Sequence, residues 1–194
     1  MSFRQSSRWR RRSPRVILAC ILGAVSAIAI TSPQAAAQSD LVIEECNQFA
    51  DGVNRNQEIM NVFEVEIATF AENAAAAETL EEISAAASQY VGAVDGVTDN
   101  LDSLASDLDS LAFTDMELTG YRDEYVGVLT GFNTALAVVS DAMTAVAAAE
   151  TEEQLSASLE AVADETATAI EQIETLATDE SELIDGVNAY CGAE

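Results

Sequence analysis

Apolar residues recur at alternating spacings of four and three in four long stretches of this chain, and this pattern limits what the chain can fold into. Such spacing places one apolar stripe along each helix, by which helices pack at shallow crossing angles. The first stripe contains one polar residue, Asn56. The fourth becomes irregular near Asp179 and Glu180, which leaves open whether the helix has a kink or a short break there. The stripes run from Val42 to Ala74, from Leu80 to Leu111, from Leu118 to Ala149 and from Leu155 to Tyr190.

The connections between the stripes carry helix-start signals. Residues 79–82, 114–117 and 151–154 each begin with Thr and end with Glu or Gln, as in the capping box, whose side chains bond backbone N–H groups of the first turn. No proline follows residue 37, and short connections make consecutive helices antiparallel. The sequence therefore predicts an all-α, up-down-up-down antiparallel four-helix bundle in residues 38–194. Its helices are expected near 40–76, 79–112, 115–149 and 152–191.

The first 37 residues have the three parts of a secretory signal peptide. Six arginines precede an apolar run from Val16 to Ile30, and Ala35-Ala36-Ala37 supplies small residues for cleavage. As a helix, this run would span about 22 Å, less than the roughly 30 Å of a bilayer core. Residues 1–37 are therefore interpreted as a cleaved signal peptide, and retention as a membrane anchor is the alternative.

The charge of the chain beyond residue 37 is extreme. Two basic side chains, Arg55 and Arg122, stand against all 34 acidic ones, which gives a formal net charge of −32 without lysine or histidine. A field of this sign repels nucleic acid and anionic lipid surfaces. We therefore expect no nucleic-acid partner and no stable membrane insertion after cleavage, and an unidentified protein as the partner.

Two cysteines, Cys46 and Cys191, lie near opposite ends of the mature chain. An even number of cysteines in an exported protein favours a disulfide, and a thiolate metal site or two reactive thiols are the alternatives. The predicted topology places both ends of the chain at the same end of the bundle, where these residues can meet. The predicted disulfide and the predicted topology rest on different residues and agree.

Histidine is absent from the sequence, and many sites in helical bundles depend on it. Di-iron centres in bundles use Glu-x-x-His motifs, and Ser-His-Asp and Cys-His catalysis needs an imidazole. A carboxylate pair such as Glu64 and Glu66 could act as acid and base. Charges that flank an apolar stripe are more often a solvated helix face. The sequence therefore favours a non-enzymatic protein without a cofactor.

Two similar tetrapeptides near the cysteines define a speculative calcium site. Residues 51–54 and 185–188 both read Asp-Gly-Val-Asn, and they would lie level in an antiparallel pair joined by the disulfide. Close approach of the first and fourth helices at the glycines would bring together oxygen ligands that calcium prefers. Those ligands are Asp51, Asn54, Asp185 and Asn188. The alternative is that Asp51 pairs with Arg55 and the glycines only permit packing, so weak calcium association is all that is expected.

Small residues recur in the third stretch at Gly127, Gly131 and Ala135. Spacing of four places them on one helix face, where they permit close approach of another backbone. Tight packing on a neighbouring helix is one interpretation. A slot for a small apolar ligand beside Tyr125 and Phe132 is the other.

Two segments carry a resemblance to a known group of proteins. Tyr121-Arg-Asp-Glu-Tyr-Val-Gly-Val-Leu-Thr-Gly-Phe132 and the closing Val187-Asn-Ala-Tyr-Cys191 resemble uncharacterised exported helical-bundle proteins of cyanobacteria. The resemblance extends over most of the mature chain. It implies export and a helical fold, and it implies no activity.

Together these features predict an acidic, secreted or periplasmic bacterial protein. The leading interpretation is a non-enzymatic bundle that acts through protein interaction or as a structural component of the envelope. The alternative is a binding module for a divalent cation or a small apolar ligand.

Overall fold

A computed structural model describes residues 40–192 of the chain as four helices joined by short connections. The helices are α1 (Asp40–Ala76), α2 (Leu80–Asp109), α3 (Met116–Ala147) and α4 (Glu152–Cys191). The prediction of an all-α chain with four long helices is confirmed over these residues, with bounds shifted by three residues or fewer. The predicted signal peptide, residues 1–37, lies outside the described residues.

Consecutive helices lie side by side and run antiparallel. Between α1 and α2, Arg55 contacts Asp107 and Phe70 contacts Tyr90, so residue numbers rise along one helix as they fall along the other. The same relation holds between α2 and α3 and between α3 and α4. By contrast, α1 and α4 make few contacts with each other. This arrangement is consistent with the predicted four-helix bundle, with one limited interface.

The helix starts are set by side chains that accept backbone hydrogen bonds. Thr79 and Glu82 form the complete predicted capping box at the start of α2. At the start of α4, Thr151 accepts from the Gln154 N–H as predicted, whereas the Gln154 side chain accepts from the N–H of Glu150. Each of these bonds satisfies a donor that has no partner within its own helix.

The predicted capping box at Thr114 is wrong. The N-terminal cap of α3 is the next residue, Asp115, whose carboxylate accepts from the N–H groups of Glu117 and Leu118. Thr114 instead donates hydrogen bonds to Glu45 in α1. A short carboxylate can replace a hydroxyl as the cap, so the cap lies one residue later than predicted and Thr114 is left to make a tertiary contact.

The core is distributed unequally among the helices. Because α3 packs on both α2 and α4, it buries a second line of residues beside its predicted stripe, namely Leu129, Leu136 and Met143. In α4 the predicted stripe residues Leu155 and Leu159 are only half-buried, since α1 does not pack along them. Ala74, predicted to be buried in α1, is exposed for the same reason.

No break occurs near Asp179 and Glu180, because α4 continues without interruption to Cys191. The apolar stripe is irregular there because Glu180 itself points toward the other helices. Its carboxylate accepts hydrogen bonds from Asn56 of α1 and Tyr125 of α3. A polar residue in a core position, and not a change in backbone, explains the irregularity.

The predicted disulfide is confirmed, with the sulfur atoms of Cys46 and Cys191 at bonding distance, 2.06 Å. The bond joins α1 and α4 across a sequence separation of 145 residues. It therefore links two helices whose noncovalent interface is limited.

Removing this bond is expected to lower the free energy of unfolding by about 4 kcal/mol, since a cross-link that closes a long loop restricts the unfolded chain. Denaturant unfolding of the oxidised protein and of a Cys46→Ala, Cys191→Ala variant measures the difference. A reducing agent should destabilise the native sequence and leave the double variant unchanged. Equal stability of the oxidised and reduced native sequence would contradict the prediction.

Candidate functional site

A hydrogen-bonded carboxylate lies next to the disulfide. Glu45, buried in α1, accepts from the Thr114 N–H at 2.7 Å, the Thr114 hydroxyl at 2.8 Å and the Asp115 N–H at 3.2 Å. These bonds, led by that of the Thr114 N–H, lower the pKa of Glu45 below its usual value. Donors to an ionised carboxylate favour the charged form. Glu45 therefore anchors the α2–α3 connection to α1 as an anion.

The same connection is bonded to the end of α4. The Tyr190 hydroxyl donates to Asp115 at 2.7 Å, and this bond raises the pKa of Tyr190 to about 12. The Leu118 N–H, followed by the Tyr190 hydroxyl, lowers the pKa of Asp115. Glu45 and Asp115 thus both accept hydrogen bonds, and these bonds join α1, α3 and α4 at this end of the structure.

A second polar cluster lies inside the helices and contains Asn56, Tyr125 and Glu180. One oxygen of Glu180 accepts from the Asn56 amide and from the Tyr125 hydroxyl, each at 3.0 Å. Burial raises the pKa of Glu180 and, to a greater degree, that of Tyr125. The side-chain oxygen of Asn56 is buried and has no hydrogen-bond donor in the described chain.

This cluster has the group types of an acid–base site but not the access that catalysis requires. A carboxyl group with a raised pKa can donate a proton at neutral pH when a substrate reaches it. Tyr125 is fully buried and Asn56 is 5% exposed, so two of the three side chains are shielded from any substrate. The cluster is a polar contact among α1, α3 and α4.

The two glycines of the speculative calcium site face different helices. The atoms nearest to a Cβ built on Gly52 belong to Leu108 of α2, at 2.6 Å, and those nearest to one on Gly186 belong to Tyr121 of α3, at 3.2 Å. The predicted close approach of α1 and α4 through both glycines is therefore wrong. Of the four predicted ligands, Asp51, Asn54 and Asp185 are exposed and Asn188 is half-buried.

The alternative to that site fails in one respect as well, because Arg55 bonds Asp107 of α2 at 2.9 Å and not Asp51. Within residues 40–192, no group of three or more acidic, cysteine or histidine side chains is arranged to hold a metal ion. Weak calcium association at the surface stays a prediction.

Of the small residues in α3, one lies in close contact with a neighbouring helix, as the packing interpretation predicts. A Cβ on Gly131 would lie 2.6 Å from Leu176 of α4, whereas one on Gly127 would meet nothing within 4 Å. The glycine at 131 is thus needed for close contact between α3 and α4. Tyr125 and Phe132, the predicted borders of an apolar slot, are both buried.

A groove along the α1–α2 pair is the feature that the sequence analysis did not identify. One depression of about 260 Å³ is lined by Ile59, Val62, Phe63 and Glu66 of α1 and by Gly96 and Val97 of α2. A second, of about 310 Å³, is lined by Asn73, Ala76 and Ala77 of α1 and by Ala85, Ala86 and Gln89 of α2. Two of the large apolar side chains that α1 exposes lie at or beside the first depression, Val62 at 60% and Val65 at 67%.

Signals for two of these features were present in the sequence. Asn56 stood out as the polar member of an apolar stripe, and the irregular stripe in α4 pointed to Glu180. The groove follows from small residues that face each other on α1 and α2, but alanine is equally common on buried and exposed helix faces. Glu45 gave no signal, because its partners lie in a distant connection.

Replacing Glu180 with Gln is expected to raise the free energy of unfolding by about 1 kcal/mol at neutral pH. Burial raises the pKa of Glu180, so its charged form costs stability above that pKa, and the cost disappears as the carboxyl is protonated. A Gln amide can also donate to the buried Asn56 oxygen. Thermal unfolding of both proteins from neutral to acid pH measures the gain, which should vanish in acid.

Glu182→Gln is the matched control, since Glu182 is exposed on the same helix and the charge change is the same. Glu45→Gln should have the opposite effect at neutral pH, because the pKa of Glu45 is lowered and its contribution is lost only as pH falls through that pKa. Equal shifts for Glu180→Gln and Glu182→Gln would show that the effect is general charge reduction.

One described helix, α3, is long and apolar enough to cross a membrane by length and composition. The same helix packs on α2 and α4 and buries eleven residues, as a central core helix does.

No protein-family model, curated protein or solved structure matches this chain. The function is therefore argued from the geometry described above.

Proposed function

We propose that this chain is an exported, acidic four-helix bundle that acts without catalysis, through contacts with another protein in the periplasm or outside a bacterial cell. The observation that carries the proposal is the groove between α1 and α2, with Val62 and Val65 exposed beside it. Exposed apolar side chains grouped on an otherwise charged surface are typical of interaction sites.

Export is supported by the sequence and by the covalent structure. Basic, apolar and small-residue segments follow one another in residues 1–37, and disulfides persist in oxidising compartments. The bond between Cys46 and Cys191 supports a location in such a compartment. The resemblance to exported helical proteins of cyanobacteria agrees with this location.

A protein partner fits the groove better than a small molecule. Pockets for small ligands commonly enclose about 300–1,000 Å³ and surround most of the ligand. The two depressions, of about 260 and 310 Å³, lie at the lower limit of that range and are separate from each other. Shallow, separate depressions accept individual side chains of a partner, as in protein interfaces.

Export predicts a mature protein that begins at or near Gln38. Intact-mass measurement of the protein recovered from the periplasm or the culture fluid tests this. A species that still carries the arginines between residues 4 and 15 would contradict cleavage and favour the anchor.

Protein interaction is tested with a photo-crosslinking amino acid placed at Val65, beside the groove, and separately at Thr168, exposed on α4. In the native envelope or culture fluid, the probe at Val65 should give a discrete protein adduct, and the probe at Thr168 should give little. If adducts form at Thr168 alone, the proposed function stands, but the interaction surface lies on α4 and not at the groove. Absence of protein adducts at both sites, with the protein exported and folded, would contradict it.

A further inference from the structure

The two depressions lie along one continuous face of the α1–α2 pair. On α1 the lining residues Val62, Glu66, Asn73 and Ala76 fall on a single line of alternating three- and four-residue steps through Thr69. Gly96 and Gln89 of α2 belong to the corresponding line on that helix. Residues at such spacing share one side of a helix. The depressions therefore open on one face of the α1–α2 pair, and a hydrogen bond of 2.7 Å from the Asn73 amide to the Gln89 side-chain oxygen joins the two helices at the second depression.

Small side chains keep this groove open. In its middle, a Cβ built on Gly92 or on Gly96 would meet nothing within 4 Å. Ala76, Ala77 and Ala85 line the end away from the disulfide. Two helix backbones border the groove along its length, and the apolar atoms of Ile59, Phe63 and Val97 form its floor at the other end.

The spacing of the depressions is compatible with a helix as the occupant. Their centres on α1 lie near residues 62 and 75, which is about 20 Å along a helix axis at 1.5 Å per residue. A partner helix laid along the groove would present side chains two heptads apart at almost the same distance, about 21 Å.

The charge around the groove is of one sign. Glu58 and Glu66 line the first depression and Glu82 lines the second. The two arginines in residues 40–192 are engaged elsewhere, Arg55 with Asp107 and Arg122 with Asp123. A partner with basic side chains on both sides of an apolar stripe would find complementary charge along the whole groove.

We propose that the α1–α2 groove binds an amphipathic helix of a partner protein that has a basic polar face, with two apolar side chains seated in the depressions. This inference rests on the proposed function and names the surface and the chemistry of the partner. A second copy of this chain is a poor occupant, because two surfaces of strong negative charge would repel each other. An anionic membrane is disfavoured by the same repulsion.

The first test uses a synthetic helical peptide of about three heptads, with leucines at the core positions and lysines elsewhere. The oxidised mature protein should bind it saturably with one-to-one stoichiometry, and affinity should fall as salt rises. A peptide with the same leucines and glutamates in place of the lysines should not bind. Calorimetric titration and circular dichroism report affinity and peptide helicity.

Gly96→Leu fills the first depression from an exposed helix position with open space around it. The variant should remain folded, with a melting temperature at or above that of the parent, because leucine favours the helix more than glycine does. Binding of the lysine peptide should weaken at least tenfold. Gly127→Leu on α3, equally open and exposed, is the matched control and should bind like the parent.

The charge contribution is tested by replacing Glu58 and Glu66 together with Gln. The matched control replaces Glu152 and Glu153, which are exposed at the start of α4 and give the same change in net charge. The groove variant should bind the lysine peptide severalfold more weakly, and the control should change little.

Four outcomes would overturn the inference. The first is absence of peptide binding, and the second is an equal loss of binding in both glutamate variants, which indicates diffuse attraction. The third is a concentration-dependent dimer that Gly96→Leu abolishes. The fourth is binding to phosphatidylcholine vesicles that Gly96→Leu abolishes. If these peptide experiments fail but crosslinks form on another face, the proposed function still stands. Loss of crosslinks at every probed face would remove both.

Discussion

The interface between α1 and α4 is limited, so a few covalent and polar links determine how α1 is held against the other end of the chain. The disulfide of Cys46, the bonds of Glu45 to the α2–α3 connection and the bond from Asn56 to Glu180 all involve the first half of α1. Beyond them, α1 packs mainly on α2. Consequently one end of the structure is fixed by covalent and polar links, and the other has half-buried apolar residues on α4 and a groove on α1.

Carboxylates in this chain are compensated by hydrogen-bond donors more than by cations. Glu45, Glu82 and Asp115 each accept backbone N–H groups, which lower their pKa values. Glu180 has only side-chain donors, and burial raises its pKa despite them. Backbone donors at helix starts are fixed in place by the fold, so they stabilise a charge without the entropy cost of ordering a long basic side chain. This allows a stable fold with very few basic residues.

The parts of the structure that depend on local spacing could be predicted from the sequence. Helix positions, the Thr79 cap and the pairing of Cys46 with Cys191 follow from periodicity, neighbouring residues and the order of the helices. The glycine contacts could not be predicted, because spacing does not tell which neighbouring helix a face meets. Gly52 meets α2 and Gly186 meets α3, whereas the sequence argument compared only α1 with α4.

The groove between α1 and α2 is not explained by helix formation or by core packing. Alanine and leucine both favour helices, so larger residues at Ala76, Ala77 or Ala85 would preserve α1 and α2. They would also bury more apolar surface between these helices, which stabilises a fold by about 25 cal/mol for each Å². Even glycine stands at position 96, where it weakens the helix and where a side chain has room. Folding alone therefore favours a filled interface, whereas the proposed insertion of partner side chains requires an open one.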